Sequence, residues 1–202
     1  MMAYKIDQQC HNIEHVIYER NPSIGGTWFE NRYPGCACDV PSHAYTFPFA
    51  PNASWPRFLA TSSDVLSYLD KVTTRLDLKK YIKLNHQVAS CVWDDEKGKW
   101  KVKIEIVEPK SDWSSQESLK VLAVFEDEAD VLLCATGPLN RWDMPDLEGL
   151  ESFKGRVVHT AGWPKGYGEE EWKEENVVVL GSGSSAVQVV PNMQVSLLRF
   201  LQ

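Results

Sequence analysis

The chain has 202 residues, enough for one sizeable domain or one and a half small ones, and 43 % hydrophobic residues permit an ordinary globular core. A net charge of −7 with scattered basic residues argues against nucleic acid and against a polybasic membrane anchor. No apolar run has the length of a bilayer span, and the start, Met1-Met-Ala-Tyr-Lys-Ile-Asp7, lacks the apolar region of a secretory signal. Five cysteines (Cys10, Cys36, Cys38, Cys91, Cys134) make neither a disulfide framework nor a zinc ligand set, so a reducing, cytoplasmic setting and no metal are expected.

In chain order, His15–Glu19 reads as a short buried strand ending in an acid. Residues 21–56 are dense in proline and glycine, which excludes a long helix or central strand and marks a long contact-making loop. Ser63 is a candidate cap for a helix starting at Asp64, with Val65, Leu66, Leu69, Val72 and Leu76 at helical spacing. From Tyr81 to Val107 the pattern turns to strands. Val88–Trp93 and Trp100–Ile106 flank a polar turn, 94–99, with Gly98 late in the loop. Residues 108–118 are a polar insertion, and Leu119–Phe125 extends the meander. Ala129–Gly137 reads as another buried strand ending in a small-residue turn, and 138–175 as linker. Val177–Leu180 opens a strand–turn–helix unit whose helix, Ala186–Val190, runs into Pro191.

A strand that ends in an acid is the ribose-binding part of a dinucleotide fold, with Glu19 accepting from ribose hydroxyls. Gly181-Ser-Gly-Ser-Ser-Ala186, with a strand before it and a helix after, has the context of a dinucleotide glycine turn. Gly181 makes the tight turn, Gly183 opens the backbone to a pyrophosphate, and Ala186 permits close helix packing. Ser182, Ser184 and Ser185 complete the turn, the last two adding hydroxyls near phosphate. Phe153, Gly155, His159, Trp163 and Pro164 fit Phe-x-Gly-x-x-x-His-x-x-x-Trp-Pro at every fixed position. Read on its own, His159 has neither a nucleophile nor metal-ligand spacing beside it and is a structural histidine. Gly25 and Gly26 let backbone approach a flat ring closely, and Trp28 offers a planar face.

The 153–164 segment, with Ile24-Gly-Gly-Thr-Trp28, Asn31-Arg-Tyr-Pro-Gly35, Asp39 and Tyr45, resembles the Baeyer–Villiger-type flavin-containing monooxygenases. The resemblance covers roughly residues 16–191 and implies an α/β protein. Its parts would be an incomplete Rossmann-type FAD domain with a β-meander (1–140), a fingerprint linker (141–175) and the start of a Rossmann-type NADP domain (176–202). It implies FAD and NADP as cofactors. Glu19 would bind ribose, Gly26, Thr27 and Trp28 would wrap the flavin, and Tyr45 would line the same site. Val88 would meet the adenine through its backbone, and Ala135-Thr136-Gly137 would close over FAD. Asp39 would orient an arginine that is absent from this chain and that stabilises a developing anion. The fingerprint would transmit motion between the two dinucleotide domains.

The activity implied is oxygenation of a ketone by O₂ to an ester or lactone. The alternatives are oxygenation at nitrogen or sulfur, and a fragment or pseudo-enzyme without turnover. Residues 1–15 contain no glycine, so no pyrophosphate loop precedes Glu19. The chain by itself is therefore expected to be a truncated interior piece, inactive alone, weak for FAD, and in need of a complementing polypeptide.

Overall fold

The computed structural model describes residues 1–112 and 114–195, and the backbone of 199–201. In chain order it forms α1 (Met2–Gln9), β1 (Ile17–Tyr18), α2 (Thr27–Glu30), α3 (Ser62–Arg75), β2 (Ile82–Lys83) and β3 (His86–Asp94). There follow β4 (Lys99–Val107), β5 (Val121–Ala129), α4 (Glu169–Trp172), β6 (Asn176–Val178), α5 (Ser184–Gln194) and β7 (Arg199–Leu201). The fold class is α/β. The chain divides into two compact units that interleave along the sequence. The first is 1–26, 67–110 and 117–137; the second is 27–66, 111–116 and 138–202.

In the first unit, β1 and β2 pair in parallel and β3-β4-β5 form an antiparallel meander. The meander turn forms because the Asp94 carboxylate accepts from the N–H groups of Glu96 and Lys97, while Gly98, at φ +62°, donates to the Asp94 carbonyl. Alternate residues of β4, Val102 and Ile104, are buried, and so is Val107 beyond a bulge at Ile106/Val107. Helix α1 stands where the sequence showed only the absence of a glycine turn. It buries Ala3, and its Asp7 carboxylate accepts from the Tyr81 hydroxyl at 2.6 Å.

Four expectations are corrected. The strand of Ala129–Gly137 is not formed: β5 runs on to Ala129, and 131–137 is exposed coil with no strand partner among the described residues. An apolar run favours burial, but a strand also needs a neighbour for its N–H and C=O groups. The strand of 15–19 is only two residues long, and Val16 and Ile17 are exposed. The cap of α3 is Thr61, not Ser63: the Thr61 hydroxyl accepts from the Asp64 N–H and the Asp64 carboxylate accepts from the Thr61 N–H, a reciprocal box. Pro191 does not end α5, which continues to Gln194 because Ala186, Val189 and Met193 are buried along one face, and that packing outweighs one lost backbone bond.

The second unit holds β6, α5 and β7, with β6 and β7 parallel, so a β-α-β crossover surrounds the glycine turn. Its core is aromatic: Tyr33, Cys36, Trp163, Tyr167, Trp172, Val189 and Met193 form one buried cluster.

Candidate functional site

The glycine turn of the second unit is built as a dinucleotide loop requires. Gly181 adopts φ +115°, a conformation open chiefly to glycine, and so aims the chain back toward α5. Gly183 is the N-cap of α5, and no side chain caps the first turn. A Cβ added to Gly183 would meet nothing within 4 Å, so the approach to the helix N–H groups is open. Exposed N–H groups and the helix dipole make this end attractive to an anion. Ser184 and Ser185 start the helix, and Ala186 is buried beneath it.

The loop that follows Gly26 meets α5 inside the same unit. The Gln188 amide oxygen accepts from the Tyr33 hydroxyl at 2.9 Å and from the Ala37 N–H at 3.3 Å. The Gln188 amide nitrogen donates to the Ala37 carbonyl at 2.9 Å. Gly35 lies against the helix at φ +80°, where a Cβ would come within 2.6 Å of the Gln188 carbonyl oxygen. Burial pushes the Tyr33 phenol up to about 12; a hydrogen bond from Ser185 pulls the other way, and nearby Cys36 and Asp39 add to the rise. Burial likewise pushes the Cys36 and Cys38 thiols up, with Asp39 adding to the effect at Cys38.

Of the expected flavin contacts in this unit, Trp28 and Tyr45 are brought together. The indole N–H donates to the Tyr45 hydroxyl at 2.9 Å, with the rings edge-on at 5.2 Å. Thr27 begins α2, and Asp39 is exposed. In the first unit, the Glu19 carboxylate accepts from the Asn21 N–H at 2.8 Å. The Glu19 carbonyl accepts from the His86 N–H, which places it two residues along β3 from Val88. Gly26, at φ +51°, has open space where a Cβ would go. Thr136 and Gly137 lie in exposed coil.

In the fingerprint, Phe153 is exposed and folds over Gly155, where a Cβ would fall 2.6 Å from the Phe153 ring. His159 caps a short 3-10 turn, its Nδ1 accepting from the Ala161 N–H at 3.1 Å, and its ring stacks on Trp142 at 4.7 Å. Burial holds its pKa below the usual histidine value, which favours the neutral ring, and the acceptor role of Nδ1 fits a proton on Nε2. Trp163 is buried, donates to the Tyr167 carbonyl at 2.8 Å and meets Trp172 edge-on at 6.0 Å. Pro164 follows, and its carbonyl accepts from the Tyr167 N–H.

Sequence reasoning missed Gln188, Tyr33 as a partner of α5, and Asn192, whose amide donates to the Gln188 carbonyl at 2.7 Å. One signal existed: Gln188 is a lone polar residue in the apolar stretch Ala186-Val-Gln-Val-Val190.

A parallel β-α-β unit around an open glycine turn defines a dinucleotide-binding α/β protein. Residues 9–197 match the flavin-binding monooxygenase-like family. The chain is 48 % identical over 195 residues to the FAD-binding monooxygenase moxY of Dothistroma septosporum, covering 96 % of this chain and 30 % of that protein. It is 37 % identical over 179 residues to a Baeyer-Villiger monooxygenase of Streptomyces coelicolor, covering 89 % of this chain and 30 % of that one. Among solved structures, OTEMO in complex with FAD and NADP superposes with a TM-score of 0.76 at 26 % identity, over 98 % of this chain and 35 % of that one. An oxidized steroid monooxygenase bound to NADP gives 0.74 at 30 % identity, over 98 % and 35 %. The chain therefore belongs to the flavin-binding monooxygenase-like family, and it spans about a third of the length of these relatives.

Proposed function

We propose that this chain carries cofactor-binding elements of an FAD- and NADPH-dependent monooxygenase that inserts oxygen beside a ketone carbonyl. The observation that carries this is the open glycine turn at Gly181–Gly183, seated in the same compact unit as the Trp28–Tyr45 pair and Asp39. The ketone substrate class rests on the Baeyer-Villiger names of relatives such as that of S. coelicolor.

The residues present fit the nicotinamide dinucleotide at its pyrophosphate. Gly183 leaves room for it, and the first N–H groups of α5 would hold it, with the Ser184 and Ser185 hydroxyls at the same helix end. For the flavin they fit in part. Within the second unit, Trp28 and Tyr45 present a braced aromatic face; within the first, Gly26 has open space where a side chain would stand, and the Glu19 carbonyl bonds His86, two residues from Val88. Before Glu19, however, the described residues are α1 and coil without a glycine turn, so no described element there cradles the flavin pyrophosphate. Bound together, the two cofactors supply reducing equivalents and oxygen activation. Asp39 is exposed and supplies a carboxylate that can orient a cation beside developing negative charge. His159, neutral and held by Ala161 and Trp142, sets the path of the fingerprint instead of moving a proton.

That same glycine-free start favours a second reading, in which the chain binds the nicotinamide nucleotide without turnover. Calorimetric titration with NADP⁺ tests the first step: saturable binding is expected, and its absence defeats both readings. Ketone-dependent NADPH oxidation in excess FAD separates them, since an ester or lactone product retires the second.

A further inference from the structure

Resting on the proposed nucleotide site, we infer that Gln188 is a positioning residue that clamps the Tyr33–Asp39 loop onto α5, so that nucleotide held at the N-terminus of that helix is felt at Asp39. Gln188 spends its side chain on one object. Its oxygen accepts from the Tyr33 hydroxyl and the Ala37 N–H, and its nitrogen donates to the Ala37 carbonyl. Those two bonds to Ala37 imitate a strand pairing, so the amide grips backbone that no side-chain substitution in the loop can alter. The close approach has its own allowance: at Gly35 any side chain would strike the Gln188 carbonyl and Asn192.

The clamp touches both ends of the proposed chemistry. Ser185, in the glycine turn, lies close enough to Tyr33 to pull its phenol pKa down against the effect of burial. Asp39 stands two residues beyond Ala37. The fingerprint residue Trp163 packs in the cluster that contains Tyr33, Val189 and Met193, which gives the fingerprint a physical place in the linkage. Nothing in this arrangement requires Gln188 to touch a cofactor. It acts by holding the loop.

Cys36 and Cys38 flank Ala37 and are buried, so they report the clamp without any cofactor present. Cys91, in β3 of the other unit, serves as a control for general loosening, and the exposed Cys10 and Cys134 calibrate the reagent. The experiment is thiol labelling of the full chain, followed site by site by mass spectrometry, for the native protein, Gln188→Leu and Tyr33→Phe, with and without NADP⁺. In Gln188→Leu, Cys36 and Cys38 are expected to label about tenfold faster or more, because the Ala37 N–H and C=O lose their partners. Cys91 should keep its native rate. Tyr33→Phe removes the Tyr33–Gln188 bond but leaves both Gln188–Ala37 bonds in place, so it should give a smaller rise, and it keeps the test alive if Gln188→Leu fails to fold. NADP⁺ should slow Cys36 and Cys38 in the native protein and lose that effect in Gln188→Leu.

Native labelling rates at Cys36 and Cys38 in both variants overturn the clamp. Equal acceleration of Cys91 also overturns it, since the effect would then be global. Binding of NADP⁺ to the native protein with no change at Cys36 and Cys38 overturns the transmission. If NADP⁺ does not bind at all, the proposed function fails and the transmission with it, while the nucleotide-free rates still decide whether Gln188 clamps the loop.

Discussion

Gly35 and Gly98 show how the same residue type does different work in this chain. Both have positive φ, at +80° and +62°, but a Cβ at Gly98 meets nothing within 4 Å, whereas one at Gly35 meets the Gln188 carbonyl oxygen at 2.6 Å. Gly98→Ala is therefore expected to cost about 1 kcal/mol, the backbone strain alone. Gly35→Ala should cost about 2–4 kcal/mol, because backbone must also move. Urea midpoints at unchanged slope compare the two, and equal losses would show that the contact with α5 carries no stability. The tyrosines offer a second test at this scale. Tyr18, half-buried and bonded to Asp127 at 2.7 Å, and Tyr33, which is buried, are both pushed up to about 12. The folded chain thus holds these protons more tightly than the unfolded one. Stability from this source is whole below the ordinary phenol value of 10 and is lost as pH rises from there toward about 12. Alkaline titration of phenolate absorbance should show a late-titrating set that merges with the rest in concentrated guanidinium. Tyr33→Phe should remove one member of that set.

Among the elements, the glycine turn before α5 separates what folding needs from what a ligand needs. Gly181 requires its glycine for conformation, at φ +115°, but Gly183 has an ordinary φ of −74° and empty space around its missing side chain. Gly183→Ala should leave the thermal midpoint unchanged and weaken NADP⁺ binding about tenfold or more, since the new methyl group would occupy the approach to the helix N–H groups. A variant that binds as tightly as the native chain would place the pyrophosphate elsewhere. The meander supplies the contrasting case. Ile104 is fully buried in β4, so Ile104→Ala should cost about 2–5 kcal/mol and leave nucleotide binding intact in the surviving folded fraction. These elements were largely readable beforehand, because alternation, turn chemistry and helical spacing act over a few residues. The misplaced cap at Ser63 and the premature stop at Pro191 have one origin. Each was settled by a contact, Thr61 with Asp64 and Met193 with the aromatic cluster, that composition does not display.

For the whole molecule, the two expected cofactor sites are unequally furnished. The glycine turn proposed for the nicotinamide cofactor has its glycines and helix N-terminus in place. For the proposed flavin contacts, the described residues before Glu19 form α1 and coil. The 202-residue chain is thus expected to leave desalting with well under one FAD per chain while still titrating with NADP⁺. Flavin absorbance of the purified protein measures this directly, and a stoichiometric yellow protein would mean that some other part of the chain holds the pyrophosphate. Among the described residues, no helix is long and apolar enough to cross a membrane.

Taken alone, the sequence determined the α/β class, the meander, the strand–turn–helix around Gly181 and the family resemblance carried by residues 153–164. All of these rest on local spacing or on fixed residue types, which a linear text records. Only the tertiary structure decided that 131–137 has no strand partner among the described residues, that α5 outlasts Pro191, and that β7 completes a parallel crossover with β6. It alone showed that Gln188 holds a loop some 150 residues earlier in the chain, bonding Tyr33 and Ala37 at separations of 155 and 151. Pairing and clamping depend on which distant groups arrive beside one another, and that choice belongs to the packed chain, where a buried polar group must find a partner.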